Sequence, residues 1–200
     1  MPREWAAAEG LVYDFFGPEL VQPVPESLDG PWYISCDYGT VNPTSMGLWG
    51  QKGGVWYRTA EFYYDSRKTG RQQTDGEYAD DLARLAGGRD IRGVVLDPSA
   101  ASFREELIRR GWMVYRAENE VLSGIRRTAE LLRAGQLVIC SPCEDAIREF
   151  GLYRWDTAAT GDRVVKEHDH AMDDIRYFAV TVAGRRSEGF FAGAVERGGG

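Results

Sequence analysis

The chain has 200 residues, enough for one domain with a substantial core and short for two. Its composition, 43% hydrophobic and 28% charged, is that of a soluble globular protein, and a net charge of −7 argues against a protein that simply coats nucleic acid. No apolar run approaches the roughly 18–20 residues that span a bilayer, no signal pattern opens the chain, and three cysteines fit a reducing compartment, so the cytoplasm is the expected location.

Residues 1–30 lack a sustained period and are interrupted by Pro18, Pro23 and Pro25, which predicts a linker or arm. Its apolar patch, Leu11-Val12-Tyr13 with Phe15-Phe16, packs on its own domain or is the severed edge of a contact with a neighbouring one. Trp32 to Cys36 reads as a buried strand that runs into Asp37 and then into the turn formers Gly39 and Asn42-Pro43. Residues 44–51 and 54–64 form two further strands around Lys52-Gly53-Gly54. A loop, RKTGRQQT (67–74), carries three basic residues without an acid. Thr74 and Glu77 then form a capping box for a helix with Tyr78, Leu82 and Leu85 on its apolar face, stopped by Gly87-Gly88.

From there strands and helices alternate. Strand 91–96 ends at Asp97, helix 99–110 at Gly111, and strand 112–116 leads to helix 120–134. A short strand, 136–140, precedes helix 142–151, and residues 153–167 read as a hairpin turning at Thr160-Gly161-Asp162. A last helix is expected over 168–183, and a flexible tail over 185–200. Three antiparallel strands followed by α, β, α, β, α is the element order of the ribonuclease H-like fold. The expectation is a central mixed five-stranded sheet flanked by helices over residues 31–184, with the hairpin near 153–167 added.

In that fold Asp37 and Asp97 end adjacent parallel strands, and the last helix brings a third acid. Two divalent ions, Mg or Mn, held about 3.5–4 Å apart clamp both oxygens of a phosphodiester displacement and take carboxylate ligands. Asp37 suits the bridging position, Asp97 binds one ion, and Asp173 approaches from the helix. His170, Asp173, Asp174 and Tyr177 follow an i, i+3, i+4, i+7 spacing that puts them on one helical face, where His170 can serve the leaving group or a metal-bound water. The plainer readings are a turn cap at Asp97-Pro98-Ser99 and a solvated face at Asp173-Asp174. Arg67, Lys68, Arg71, Arg163 and Lys166 are candidate phosphate contacts, with surface solvation as the alternative for each. Cys140 and Cys143 have CxxC spacing but read as buried free thiols. Trp56, Tyr57, Phe62, Tyr63 and Tyr64 read as core before they read as a stacking platform.

The segments DYGTVNPTS (37–45), EFYYDSRKTGRQQTDGEYADDL (61–82), VVLDPSAASF (94–103), AENEVLSGIRRT (117–128), EFGLYRWD (149–156) and KEHDHAMDDIRY (166–177) resemble the C-terminal nuclease domain of phage terminase large subunits. The resemblance covers roughly residues 10–180. It implies two-metal cleavage of double-stranded DNA concatemers during genome packaging, in the cytoplasm of the infected host. Carried over, Asp37, Asp97 and Asp173 match the metal-binding acids and His170 the histidine of the DHAMD motif. The family usually has a small residue after the last acid, where this chain has Asp174, so Asp173 or Asp174 is the third ligand. The implied partners are double-stranded DNA, the ATPase motor domain of the full-length protein, the terminase small subunit and the portal, and no membrane. No GxxxxGK[ST] occurs, so the chain reads as an excised nuclease domain.

Other functions fit less well. The Asp37-Tyr-Gly39-Thr40 stretch also resembles the phosphate loop of sugar kinases and actin-like ATPases, which need two such domains. A Holliday-junction resolvase or transposase would use the same acids but more often carries a basic DNA-binding stretch. A non-catalytic packaging-motor module with a vestigial site is the non-enzymatic alternative.

Overall fold

The computed structural model describes residues 10–185; the start of the expected arm, residues 1–9, and the expected tail beyond Arg185 lie outside the described residues. A two-residue strand, β1 (Val21–Gln22), precedes the aromatic, β-branched β2 (Trp32–Asp37). β3 (Thr44–Lys52) and β4 (Val55–Tyr64) form an antiparallel hairpin closed at Gly53 and Gly54, both with positive φ. Where a loop is predicted, α1 (Ser66–Thr69) makes a single turn, because the Asp65 carboxylate caps it by accepting from the Arg67 amide at 3.0 Å. α2 (Asp75–Ala86) opens in the expected capping box, with Thr74 and Glu77 bonded reciprocally. Next come β5 (Ile91–Leu96), α3 (Ala101–Arg109), β6 (Val114–Arg116), α4 (Val121–Arg133), β7 (Leu137–Cys140), α5 (Glu144–Phe150) and α6 (His170–Phe178).

The strands lie in the order β1-β7-β4-β3-β2-β5-β6. Within it, β4-β3-β2-β5-β6 is the mixed five-stranded sheet of the ribonuclease H-like fold, with β2 and β5 parallel neighbours. Two strands extend that core, making seven. The first residues of β4 would otherwise be an open edge, and the apolar run of β7 pairs there, Trp56 with Leu137 and Arg58 with Ile139; β1 then covers β7. The expected hairpin at 153–167 is reduced to one bridge, Trp155 to Val164, since residues 157–163 have no alternating apolar side chains to bury. The final helix is regular only from His170 to Phe178 and continues as a π-helical turn over Ala179–Ala183.

Helices cover both faces of the sheet. On one face Ile34, Cys36, Leu48 and Val94 pack against Tyr78 and Leu82 of α2 and Phe103 of α3. On the other, Phe178 of α6 stacks on Trp49 with ring centroids 4.2 Å apart, while α4 and α5 flank it. This explains the uninterrupted apolar run of β5: Val94 and Leu96 serve the first face and Val95 meets Tyr177 on the second. Cys140 and Cys143 are buried free thiols. No helix among the described residues is long and apolar enough to cross a membrane.

The apolar patch of the arm joins this second core. Tyr13 and Phe16 are buried, Phe16 stacks on Phe150 of α5 at 3.8 Å, and the Val12 amide donates to the Tyr153 carbonyl at 3.0 Å. Phe16→Ala should therefore cost about 3–5 kcal/mol in denaturant unfolding, as for a buried core ring. An unchanged unfolding midpoint would show that the segment contributes nothing to the core.

Candidate active site

Three segments far apart in sequence meet at the carboxyl ends of β2 and β5. Asp37 ends β2, and the chain then turns sharply: the Thr44 hydroxyl donates to the Gly39 carbonyl at 2.8 Å and accepts from the Gly39 amide at 3.1 Å. A Cβ at Gly39 would press on the Asn42 carbonyl at 2.5 Å, so the turn depends on glycine there. Asp97 follows β5, its amide reaching the Cys36 carbonyl at 3.4 Å. Its Oδ1 accepts from the Ser99 amide at 2.7 Å, the expected turn cap, while Oδ2 accepts from the Tyr177 hydroxyl at 3.1 Å. The cap and a cleft-facing role thus coexist in one side chain.

α6 supplies the third side. His170 Nδ1 lies 2.9 Å from Asp37 Oδ2, and Asp173 Oδ1 accepts from Arg176 Nη2 at 2.9 Å. Lys166 reaches in from the preceding loop, 3.6 Å from Asp169 and 3.8 Å from Asp173. Asp37, Asp97, Asp173 and His170 together line a cleft of about 750 Å³.

Asp174 does not reach that cleft. Successive helical residues point about 100° apart, and here Asp173 takes the cleft side while Asp174 turns to the sheet. It is wholly buried and pairs with Arg58, also wholly buried, at 2.5 Å. Its burial with a fixed guanidinium partner removes it from the shared helical face that the spacing predicts.

The charges in the cleft are mutually dependent. Burial raises the Asp37 carboxyl to about 7; the His170 hydrogen bond pulls it down, while the charges of Asp173 and Asp97 push it up. Burial disfavours the imidazolium of His170, but the hydrogen bond and charge of Asp37, with the charges of Asp169 and Glu149, raise its pKa. Asp169 is raised by burial and by Asp173. A cluster of acids this dry favours a cation beside it.

Basic side chains surround the acids, though not all those expected. Arg67 and Lys68 of α1 and Lys166 line the cleft, joined by Arg148 and Arg176. Arg71 is turned onto Glu77, and neither Arg71 nor Arg163 lines the cleft. The sequence also gave no notice of Glu149. Wholly buried in α5, it accepts from the Ala171 amide at 2.7 Å and from the Tyr63 hydroxyl at 2.6 Å, so it anchors the start of α6 to the sheet.

An all-oxygen set from Asp37, Asp97 and Asp173 has the chemistry of a site for a hard divalent ion. Among the described residues, no three acid, histidine or cysteine side chains stand close enough together to hold an ion as placed. Asp97 is engaged by Tyr177 and Asp173 by Arg176 and Lys166, so ion binding requires these side chains to change partners.

No protein-family model and no curated protein sequence matches the chain. Among solved structures, the large terminase of a thermophilic bacteriophage, solved in complex with ADP, is similar at a TM-score of 0.84 and 42% identity. That match covers 89% of this chain and 46% of the terminase, so the chain spans about half the length of that relative. The nuclease domain of the P22 large terminase is similar at 0.71 and 18% identity, covering 88% of this chain and 94% of that one. The large terminase nuclease of the thermophilic phage G20c with bound magnesium is similar at 0.65 and 16% identity, covering 86% and 97%. It was also solved with bound cobalt. At these last identities the likeness speaks for the fold.

Asp174, turned to Arg58, and Asp173, lining the cleft, are adjacent acids with different surroundings. Arg58→Ala, which strands a buried carboxylate, should cost about 3–5 kcal/mol of stability. Asp173→Ala should cost less: it takes the carboxylate from the buried Arg176, but that guanidinium keeps the carbonyls of Asn119 and Glu120 as acceptors. Equal losses in denaturant unfolding would contradict this division.

Proposed function

We propose, from the premise that this chain is a relative of the phage large terminases over what is structurally their nuclease domain, that it is an endonuclease cutting double-stranded phage DNA during genome packaging. The observation that carries the reading is the convergence of Asp37, Asp97 and Asp173, from β2, β5 and α6, on one cleft with basic side chains around it. We take residues 31–184 as the nuclease unit. In the full-length protein it works beside an ATPase motor, with the terminase small subunit and the portal as further partners, in the cytoplasm of the infected host.

Asp37, Asp97 and Asp173 would hold two divalent ions, Mg or Mn. Bound there, such ions supply Lewis-acid stabilisation of the attacking and leaving oxygens of a phosphodiester. The chain's own residues do the rest. Asp37, between neighbouring strands, is suited to be shared by both ions. A proton held at His170 Nδ1 against Asp37, 2.9 Å away, would orient the ring and leave Nε2 toward Asp169, 3.8 Å away. That nitrogen is available to serve the leaving oxygen. Arg67, Lys68 and Lys166 contact phosphates and hold the duplex over the acids. With a net charge of −7 this grip is weak, and attachment to a motor that already holds DNA compensates through effective concentration.

The direct test is plasmid cleavage in Mg²⁺ or Mn²⁺. The wild-type chain should cut slowly and with little sequence preference, and EDTA should abolish cutting. Asp37→Asn, which removes a ligand charge and no volume, should lower the rate by about 10²–10³-fold or more, the scale of losing one essential electrostatic group. Undiminished cleavage by Asp37→Asn would overturn the assignment.

A further inference from the structure

Beneath the cleft lies a buried polar network. Asp174 accepts four hydrogen bonds: from Ser35 Oγ at 2.7 Å, from Ser45 Oγ, and from Nη1 and Nη2 of Arg58 at 2.5 and 2.9 Å. Ser35 precedes Asp37 by two residues on β2 and so shares its face; Ser45 stands opposite Asp37 on β3. The receptor for Asp174 is therefore built from the same strand positions that present Asp37.

Arg58 fits because of two irregularities. A side chain at Gly47 would occupy the space of the Arg58 guanidinium, so the glycine opens a slot in the sheet for it. The register between β3 and β4 also shifts at Leu48/Trp49, leaving Thr59 unpaired. That bulge turns Arg58 and Glu61, three apart on one strand, to the same face, where they bond at 3.3 Å. Glu61 in turn accepts the Asp145 amide at 2.6 Å and the Ala146 amide at 3.3 Å, at the start of α5.

We propose that Arg58 is a positioning residue for the reaction: its two-pronged bond to Asp174 sets the rotation of α6, which turns Asp173 and His170 to Asp37. The proposal rests on the metal-nuclease reading above. Asp173 and Asp174 carry the same group about 100° apart on the helix, so metal chemistry cannot by itself decide which one faces the cleft. The receptor for the other acid decides it. A buried ion pair adds little net stability relative to an apolar pair of similar size, and its best-attested use is to select one register over another. The guanidinium fork matches both carboxylate oxygens at once, which fixes orientation as a lysine could not.

The test replaces the pair, Arg58→Met with Asp174→Leu, so that neither member is left charged alone; Glu61 loses Arg58 but keeps the amides of Asp145 and Ala146 as donors. Mn²⁺ is titrated against the melting temperature, and cleavage is measured over Mn²⁺ and DNA concentrations. A cooperative unfolding transition should be retained. The Mn²⁺ concentration giving half the melting-temperature shift should rise at least tenfold and kcat should fall at least tenfold, with KM for DNA within about twofold. A folded double variant with wild-type Mn²⁺ response and kcat overturns the proposal. Should the double variant fail to fold, Ser45→Ala decides. It removes one of the four bonds, and a severalfold rise in the Mn²⁺ half-point supports the proposal while an unchanged one overturns it. A wild-type chain that neither responds to Mn²⁺ nor cuts defeats the nuclease reading itself, and the positioning role falls with it.

Discussion

The ion pair between Arg58 and Asp174 is the constraint on which the arrangement of α6 over the sheet depends. Both side chains are wholly buried, so each needs the other, and a charge left alone there would carry the full desolvation penalty. Asp174 cannot leave without taking from the guanidinium its two-pronged partner, and the guanidinium cannot shift without losing the space above Gly47. Helix and sheet are thereby locked in one relative rotation. Stacking of Phe178 on Trp49, one turn further along, holds the same helix by packing alone. Apolar contact tolerates small slips; the hydrogen-bonded carboxylate does not.

That lock matters because the other side of α6 is electrostatically crowded. Asp37, Asp97, Asp169 and Asp173 face one another across a partly dry cleft, and repulsion alone would drive the helix away. Each acid instead has an internal partner: His170, Tyr177, Lys166 and Arg176 respectively engage Asp37, Asp97, Asp169 and Asp173. Burial first, and then the charges of Asp173 and Asp97, hold the Asp37 carboxyl up despite its bond to His170. An added cation would have to take Asp97 and Asp173 away from these partners. Glu149 completes the frame by tying the start of α6 to Tyr63 of β4.

How much of this could be read in the amino-acid sequence depends on how local the cause is. The strand-to-turn transitions at Asp37 and Asp97 are local, written in apolar runs broken by Gly39 and by Pro98, and the element order that joins them follows from periodicity. The capping box at Thr74 is equally local. The seven-stranded sheet was half legible, because residues 136–140 read as a strand but nothing marked Val21–Gln22 as its partner. The role of Asp174 was hidden, since two adjacent acids on a helix differ only in what lies opposite. The partner, Arg58, was hidden too: the bulge at Thr59 breaks the period of two that would assign strand faces. Gly47 was the one available signal, a glycine inside an apolar strand, which marks close approach of another group. Among the basic residues, nothing in the local pattern separates Lys166, which enters the cleft, from Arg71, which is spent on Glu77.

Asp37, Asp97 and Asp173, and not Asp174, are the proposed ligands of the divalent ions. Anomalous diffraction from crystals of the chain soaked in Mn²⁺ tests this assignment most directly. Two peaks about 3.5–4 Å apart are expected among those three carboxylates, with Asp174 still bonded to Arg58. A peak liganded by Asp174, or no peak among the three acids at saturating Mn²⁺, would contradict it.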